Sequence, residues 1–460
     1  MAAAERAPIM VIAGEASGDL HGATLCRALR ALAPGRPLVG MGGDRMAAAG
    51  LERLADVTAA AAIGGTEAFG PIPTLLSAWR RLKAALAGPA RPAALVLIDF
   101  PEFNLRLARV ARRAGIPVVY FIPPQVWAWR PWRVRAIRER VSLVLAVFPF
   151  EAALYRQAGL RVEFVGHPVL DALDGAPARE EARRRLGLGA GDLVIGLLPG
   201  SRKQEIEGTL PVLRRVAARI AAARPGARFV LAAAPLVASG ARTGRDVGGL
   251  VEKVGDASVA SGARTGRSVG GLVEKVGEAS VASGASTGRH VGGLIEEVAG
   301  SGEGIAGSEP PIRVVHGDTY AVMRAADLLL VNSGTATLEA ALLGTPMVVC
   351  YRFSRLTEAW VRLLTRVPWI SLPSIVLGRA VVPELYQRTF TVDRVTDTAL
   401  GLLASPGALD AQRGAFRELT GLLGEPGVGA RAARAVLSLI GEPASPALAA
   451  AGAPGGGGSA

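Results

Sequence analysis

An acidic residue follows directly on the apolar run Leu95–Ile98. This residue, Asp99, opens the segment Asp-Phe-Pro-Glu-Phe-Asn, which ends at Asn104. If the apolar run is a strand of a parallel sheet, Asp99 lies at its carboxyl end, where such sheets bind ligands. A carboxylate at that place is suited to act as a general base. The alternative is that Asp99 only caps the helix whose first turn contains Pro101.

Two loops in the second half of the chain are typical of phosphate-binding sites. The first contains Ser201 and Arg202 in the sequence Pro-Gly-Ser-Arg, and the second comprises residues 332–335. Each lies between an apolar run and a predicted helix, so the backbone N–H groups of the helix start can bind an anion. The Arg202 guanidinium can hold a diphosphate through two hydrogen bonds, and Glu339 can accept hydrogen bonds from ribose hydroxyls. Helix capping is the alternative for each loop taken alone.

The N-terminal loop Gly14–Asp19 is a third candidate binding segment, because it follows the apolar run Ile9–Ala13 and precedes a predicted helix. Gly14 and Gly18 allow the backbone to approach a ligand closely. The glycine spacing does not match the dinucleotide-binding fingerprint. The alternative is a tight strand-to-helix turn with Ser17 or Asp19 as the cap.

Tryptophan and arginine are concentrated in Pro123–Arg140, where Trp127, Trp129 and Arg130 stand close together. This mixture is typical of surfaces that contact membranes, sugars, phosphates or stacked bases. No recognised nucleic-acid-binding module contains these residues. The alternative is a solvated arginine-rich helix whose tryptophans belong to the core.

The chain of 460 residues has a formal net charge of +13 and is 50% apolar. The excess charge is concentrated in Asn104–Arg140, which has nine arginines against one acidic residue, Glu139. This distribution favours an anionic partner. No apolar run reaches the roughly 18–20 residues of a membrane-spanning helix. Cys26 and Cys350 are far apart and have no metal-ligand neighbours, so we expect a reducing cytoplasm and neither a disulfide framework nor a metal site.

Apolar runs and helical patterns alternate twice along the chain, which predicts an α/β fold with two parallel-sheet domains and a cleft between them. The strands predicted for the first domain are Ile9–Ala13, Leu38–Gly40, Leu95–Ile98, Val118–Phe121, Val141–Val147 and Arg161–Val165. Those predicted for the second domain are Leu193–Leu198, Phe229–Ala233, Ile312–Val315, Leu328–Val331 and Met347–Cys350. The predicted domains are residues 1–173 and 174–441, followed by a disordered tail at 442–460. The final helices of the second domain are free to pack back on the first.

A 22-residue repeat interrupts the second domain. Ser239–Ala260 recurs almost unchanged as Ser261–Ala282, and a third, more divergent copy begins at Ser283 and ends at about Gly300. Because the copies are glycine-rich and nearly identical, we expect an insertion at about residues 239–310 in a surface connection, where long insertions cost little. The alternative is a small solenoid whose units bury a shared apolar face.

Taken together and in order, these motifs resemble those of the lipid-A-disaccharide synthases, a family of inverting glycosyltransferases with GT-B architecture. The stretches that carry the resemblance are GEASGDLHG (14–22), GMGGDRM (40–46), IDFPEFN (98–104), PPQVWAWRPWR (123–133), FVGHPVLD (164–171), LLPGSRKQEI (197–206), NSGTATLEAALLGTPMVVCYR (332–352) and VPELYQ (382–387). The match covers most of residues 8–237 and 312–440. Two positions depart from the family pattern, since Ser374 stands where asparagine is usual and Arg355 where proline is usual.

The resemblance implies two Rossmann-like domains and transfer of 2,3-diacylglucosamine from its UDP derivative to 2,3-diacylglucosamine 1-phosphate. The products would be the β-1,6-linked lipid A disaccharide 1-phosphate and UDP. Asp99 is then the candidate base, and no metal or other cofactor is expected. The residues expected to bind the nucleotide are Ser201, Arg202, Asn332, Ser333, Gly334, Thr335, Glu339 and Gln387. Those expected to meet the acceptor and its lipid are Gly14, Ser17, Gly18, Asn104, Trp127, Trp129 and Arg130.

Both implied substrates carry acyl chains, so the resemblance also implies a cytoplasmic protein bound peripherally to the anionic inner face of the inner membrane. Nucleic acid is not an expected partner, and a homodimer is left open. Two rival interpretations remain. One is another GT-B enzyme that uses UDP-N-acetylglucosamine, which should lack the GEASGD and PPQVWAW stretches. The other is a non-catalytic protein that binds acidic lipid through Trp127–Arg140, a function that requires neither Asp99 nor Arg202.

Overall fold

A computed structural model describes residues 7–57, 72–127, 131–233, 310–352 and 368–442. The 22-residue repeats, the predicted tail after residue 442, and both Trp129 and Arg130 lie outside these described residues. The predicted domain boundary at residue 173 stays a prediction.

The first sheet consists of parallel strands in the order β3-β2-β1-β4-β5-β6-β7. The strands are β1 (Ile9–Ala13), β2 (Leu38–Met41), β3 (Glu52–Ala55), β4 (Ala94–Ile98), β5 (Val118–Phe121), β6 (Leu143–Ala146) and β7 (Val162–Phe164). The helices of this half are α1 (Ala16–Leu32), α2 (Asp44–Ala48), α3 (Ile72–Ala87), α4 (Pro101–Arg113), α5 (Arg133–Arg140) and α6 (Pro149–Gln157). The central strands are buried throughout, as expected where helices cover both faces of a parallel sheet.

The second sheet is also parallel, in the order β10-β9-β8-β11-β12-β13. Its strands are β8 (Val194–Leu198), β9 (Arg228–Ala233), β10 (Ile312–His316), β11 (Leu328–Val331), β12 (Met347–Tyr351) and β13 (Glu384–Tyr386). The remaining helices are α7 (Val169–Ala172), α8 (Arg179–Arg185), α9 (Lys203–Ala223), α10 (Thr319–Ala325), α11 (Thr335–Leu342), α12 (Leu372–Leu377), α13 (Val392–Leu403), α14 (Pro406–Leu422) and α15 (Val428–Leu439). Two parallel α/β sheets in sequence confirm the predicted fold class.

The last helix returns to the first sheet, because α15 packs against α1. Gly429 of α15 lies so close to Thr24 that a Cβ at Gly429 would approach the Thr24 Cγ2 to 2.7 Å. The start of α15 is held by the Asp171 carboxylate, which accepts hydrogen bonds from the backbone N–H groups of residues 427, 428 and 429 at 2.6, 3.0 and 2.8 Å. Asp171 therefore connects the chain that leaves the first sheet with the chain that comes back to it.

Candidate active site

The carboxyl ends of the two sheets bring the candidate residues of both halves to one cleft. Glu15 follows β1, Asp99 follows β4, and Arg202 follows β8. The Arg202 Nη2 lies 3.9 Å from the Glu15 Oε2 across the cleft. The Arg202 and Glu15 side chains retain 57% and 36% of their exposure, so both can be reached by a ligand.

The Asp99 turn has an uncommon backbone. Asp99 and Phe100 both have left-handed conformations, with φ values of 45° and 46°, which cost energy in residues other than glycine. The turn is held by hydrogen bonds to the Asp99 carbonyl, which accepts from the Asn104 Nδ2 at 2.7 Å and from the Tyr120 hydroxyl at 2.9 Å. The Asn104 Nδ2 also donates to the carbonyl of Ile98 at 3.1 Å. The helix cap of α4 is Phe100, so Asp99 does not take the capping position that was the alternative to a catalytic role.

The Asp99 carboxyl has the electrostatics of a base that works near neutral pH. Burial raises the pKa of Asp99 to about 6, and the Glu15 carboxylate adds to the rise. A hydrogen bond from the Phe100 backbone N–H and the positive charge of Arg202 act in the opposite direction, lowering this pKa. Asp99 is therefore mostly ionised at pH 7 and still basic enough to accept a proton.

Asn104 lies within this turn and not on the cleft surface, because its side chain is fully buried. Its amide nitrogen is used by the two backbone carbonyls, and within the described structure its Oδ1 has no hydrogen-bond partner. We therefore assign Asn104 to holding Asp99 in place. Its direct contact with the acceptor stays a prediction that the buried position does not favour.

The N-terminal loop packs directly on the Asp99 turn. A Cβ at Gly14 would lie 2.3 Å from the Cδ1 of the Phe100 ring, so only glycine fits there. Gly18 packs against Ala13, where a Cβ would come within 3.3 Å, and Ser17 is exposed. The cap of α1 is Glu15, and therefore neither Ser17 nor Asp19 has the capping role considered from the sequence.

Asp19 has a role that the sequence did not reveal. Its carboxylate is buried and accepts hydrogen bonds from the backbone N–H groups of Gly43, Arg45 and Met46 at 2.8, 3.1 and 3.0 Å. These three residues form the start of α2. Asp19 thus joins the GEASGD stretch to the GMGGDRM stretch, and its place as the acidic residue that ends GEASGD was the available signal.

The segment after β5 is anchored beside the Asp99 turn. Ile122 has a left-handed backbone with φ 56°, and the carbonyl of Pro124 accepts a hydrogen bond from the buried Tyr155 hydroxyl at 2.9 Å. The half-buried Trp127 ring packs edge-on against Phe150, with the ring centroids 5.2 Å apart. Of the predicted aromatic and basic residues here, the structure thus places Trp127 at the edge of the core.

The two phosphate-loop candidates touch each other. Gly200 has φ 121°, and a Cβ there would lie 2.7 Å from the Asn332 Nδ2. The backbone N–H groups of Ser201 and Arg202 donate to the Glu205 Oε2 at 3.0 and 3.2 Å. The cap of α9 is Arg202, so Ser201 does not take the capping role that was the alternative for this loop. The starts of α9 and α11 therefore face one site.

The second loop presents its backbone to the cleft. Gly334 and Thr335 are exposed, and the Ser333 hydroxyl donates to the carbonyl of Ile370 at 2.8 Å. One turn into α11, the Glu339 Oε1 accepts a hydrogen bond from the Tyr320 hydroxyl at 3.2 Å. Burial raises the pKa of Glu339, while the Tyr320 hydrogen bond lowers it in part. This carboxyl is thus held in one orientation.

Gln387 lies just beyond β13. Its backbone is left-handed with φ 52°, and its N–H donates to the carbonyl of Tyr351 at 3.2 Å. Gln387 therefore follows an edge strand at the same end of the second sheet as Arg202 and Asn332.

The sequence profile of the lipid-A-disaccharide synthetase family matches residues 9–239 and 310–412, more than half of the chain. The chain belongs to this family. A lipid-A-disaccharide synthase of Syntrophotalea carbinolica is 38% identical over 434 residues, which cover 94% of this chain and 96% of the relative. That of Syntrophus aciditrophicus is 36% identical over 433 residues, which cover 94% and 97%. The matched ranges omit residues 240–309, where most of the repeats lie.

A solved structure shows the same two-sheet fold. It is that of a putative UDP-N-acetylglucosamine 2-epimerase from Listeria monocytogenes, with a TM-score of 0.57 and 13% identity. The likeness covers 94% of this chain and 96% of that one. At this low identity, the likeness supports the GT-B fold of this chain and carries no information about its substrate.

One departure from the family pattern lies in the packed interior. Ser374 is fully buried, its Oγ accepts a hydrogen bond from the Val381 N–H at 3.2 Å, and the same Oγ lies 3.0 Å from the Ser371 Oγ. The other departure, at Arg355, is outside the described residues. Within the described part of the chain, no helix has the length and apolar character needed to cross a membrane. No group of three or more His, Cys, Asp or Glu residues in that part could hold a metal ion.

Proposed function

We propose that this protein joins UDP-2,3-diacylglucosamine to 2,3-diacylglucosamine 1-phosphate with inversion at the anomeric carbon. The observation that supports this most directly is that the half-buried Asp99, whose pKa is raised to about 6, lies close enough to the exposed Arg202 for the guanidinium charge to act on that pKa. A base and a diphosphate-binding cation on opposite walls are the two groups that this reaction needs. The products are the β-1,6-linked disaccharide 1-phosphate and UDP.

In the proposed reaction, Asp99 takes the proton of the acceptor 6-hydroxyl while its oxygen attacks the anomeric carbon of the donor. The new carbon–oxygen bond forms as the bond to the UDP β-phosphate oxygen breaks, so UDP leaves with the bonding electrons. Negative charge then grows on the diphosphate, and preorganised donors at that place lower the barrier. The Arg202 side chain, at the start of α9, and the exposed backbone at the start of α11 are those donors, so the scheme uses neither a metal nor a cofactor.

The nucleotide is assigned to the second sheet. The exposed backbone at Gly334 and Thr335 is suited to bind phosphate oxygens at the start of α11. Glu339 accepts from Tyr320 through one oxygen, which leaves the other for a ribose hydroxyl. Asn332, packed against Gly200, keeps the two phosphate loops in contact. Ser201 and Gln387 complete the proposed set.

We also propose that the arginine surface of α4 and α5 contacts an anionic membrane on its cytoplasmic side. Its exposed arginines are Arg106, Arg109, Arg112, Arg113, Arg135 and Arg138. Trp132, which directly precedes α5, is 63% exposed. Arginine beside tryptophan is typical of a membrane interface. Sedimentation with anionic and neutral vesicles tests this contact, and the sedimentation coefficient of the free protein shows whether it is a monomer or a homodimer.

The activity is tested by incubating the purified protein with both lipid substrates and separating the products. Disaccharide 1-phosphate and an equal amount of UDP are expected. Formation of neither product, or a preference for UDP-N-acetylglucosamine as donor, would refute the proposal. Turnover in the presence of excess chelator checks the metal-independent scheme.

A further inference from the structure

The Glu384 carboxylate at the start of β13 receives three hydrogen bonds from one short loop. Its Oε2 accepts from the backbone N–H of Ile370 at 2.8 Å. Its Oε1 accepts from the backbone N–H of Ser371 at 3.1 Å and from the Ser371 hydroxyl at 2.6 Å. Hydrogen bonds to an ionised acceptor are among the stronger ones in proteins, so Glu384 fixes the loop at residues 370–371.

The same loop is bonded on its other side to the start of α11. The Ser333 hydroxyl donates to the carbonyl of Ile370 at 2.8 Å. This carbonyl and the Ser371 N–H belong to one peptide group, so that group is held between Ser333 and Glu384. A peptide that donates to a carboxylate becomes a better acceptor at its carbonyl, and the two bonds therefore strengthen each other.

Two further hydrogen bonds tie this loop to the phosphate-binding backbone. The N–H of Leu372 donates to the Thr337 Oγ1 at 3.4 Å, and the Thr337 hydroxyl donates to the carbonyl of Gly334 at 2.8 Å. Gly334 itself has φ 149°. Through Ser333 and Thr337, the loop held by Glu384 sets the place of the exposed backbone at residues 334–335.

Glu384 also begins the strand that leads to Gln387. One carboxylate thus connects the two segments from which we draw nucleotide contacts, the start of α11 and the end of β13. We propose that Glu384 is a positioning residue for the UDP-binding backbone at residues 332–335, an inference that rests on the proposed function. It acts through the Ile370–Ser371 peptide and Ser333, without touching the nucleotide.

The test is the affinity of Glu384→Gln for UDP, measured by isothermal titration calorimetry. The amide has only one acceptor oxygen, so its NH₂ group faces one of the loop's donors and that hydrogen bond is lost. Because one charge-assisted hydrogen bond is lost, we expect the Kd for UDP to rise by about tenfold or more. The KM for the acceptor should stay within about twofold of the original value.

Glu418→Gln is the matched control. Glu418 is an exposed carboxylate in the same half of the chain, bonded to Arg379 at 3.0 Å, and it makes none of the hydrogen bonds that hold the loop. Its replacement should leave the Kd for UDP unchanged. If Glu384→Gln unfolds, Ser371→Ala removes one of the three hydrogen bonds and should raise the Kd by a smaller factor.

A double-mutant cycle separates positioning from a general loss of structure. Ser333→Ala and Glu384→Gln should weaken UDP binding less together than the product of their separate effects, because both act through one peptide group. A Kd within twofold of the original in folded Glu384→Gln, or independent effects in the cycle, would overturn the inference. Failure of the proposed function would look different, since the unaltered protein would then bind UDP without forming disaccharide.

Discussion

The pH dependence of turnover is the most direct test of Asp99 as the base. Burial and the neighbouring Glu15 raise the pKa of Asp99 to about 6 from its ordinary value of 3.8. The base must be ionised to accept a proton, so kcat/KM should be constant above about pH 7. Below pH 6 it should fall by about tenfold per pH unit as Asp99 becomes protonated. The assay is initial UDP release between pH 4.5 and 8.5 at low donor concentration.

Glu15→Gln provides the control for this profile. Replacing the Glu15 carboxylate removes a negative charge that raises the pKa of Asp99, so the acidic limb should move to lower pH. Asp99→Asn should lose nearly all turnover at every pH while retaining UDP binding. An acidic limb near pH 4 in the unaltered protein, or one that Glu15→Gln leaves in place, would refute this account of the base.

The raised pKa of Asp99 also predicts how stability depends on pH: ionisation of Asp99 favours turnover but lowers stability. Because the folded-state pKa lies above the ordinary value, ionised Asp99 destabilises the fold. This penalty develops as the pH rises from about 4 to about 6, and two pKa units correspond to at most about 3 kcal/mol. In urea denaturation, Asp99→Asn should therefore unfold at higher urea than the unaltered protein at pH 8, with a much smaller gain near pH 4. Equal gains at both pH values would contradict the assignment.

Three further changes test the frame around the base. Gly14→Ala places a methyl group against the Phe100 ring. This change should lower the unfolding free energy by about 1–3 kcal/mol and also lower the turnover rate. An unchanged turnover rate would contradict the close packing. Arg202→Lys should lower kcat/KM by about a hundredfold, since the forked contact to the leaving diphosphate is lost, and steady-state kinetics will show whether it does. Asp171→Ala should lower the unfolding free energy by about 2 kcal/mol because α15 loses its three hydrogen bonds, and an unchanged denaturation midpoint would count against this role.

The sequence pattern located the interior strands well, because each is a short apolar run that both helical layers cover. Ile9–Ala13 and Val118–Phe121 coincide with β1 and β5. The strands it did not identify are β3 (Glu52–Ala55), with its exposed and half-buried residues, and β13 (Glu384–Tyr386), which is only three residues long. Each lies at the edge of its sheet, where one neighbour is missing and the apolar signal is weakest.

Among the site residues, too, some features could be predicted from the sequence and others could not. Asp99 was predictable because the end of a buried strand determines where its next residue lies. The left-handed backbone of Asp99 and Phe100 was not, since neither is glycine and the hydrogen bonds that hold the turn come from Asn104 and Tyr120. Glu384 was missed for a related reason: all its partners belong to a loop 13 or 14 residues earlier in the chain, and only the folded sheet brings them together.

In the proposed mechanism, the base is controlled from both halves of the molecule. Glu15 of the first half raises the pKa of Asp99, and Arg202 of the second half lowers it. When the diphosphate of the donor binds Arg202, the guanidinium charge is neutralised and its lowering effect on Asp99 is removed. The diphosphate also brings negative charge near Asp99, which raises the pKa further. On this proposal, donor binding makes Asp99 a stronger base at the moment when an anomeric carbon is present for the acceptor oxygen to attack.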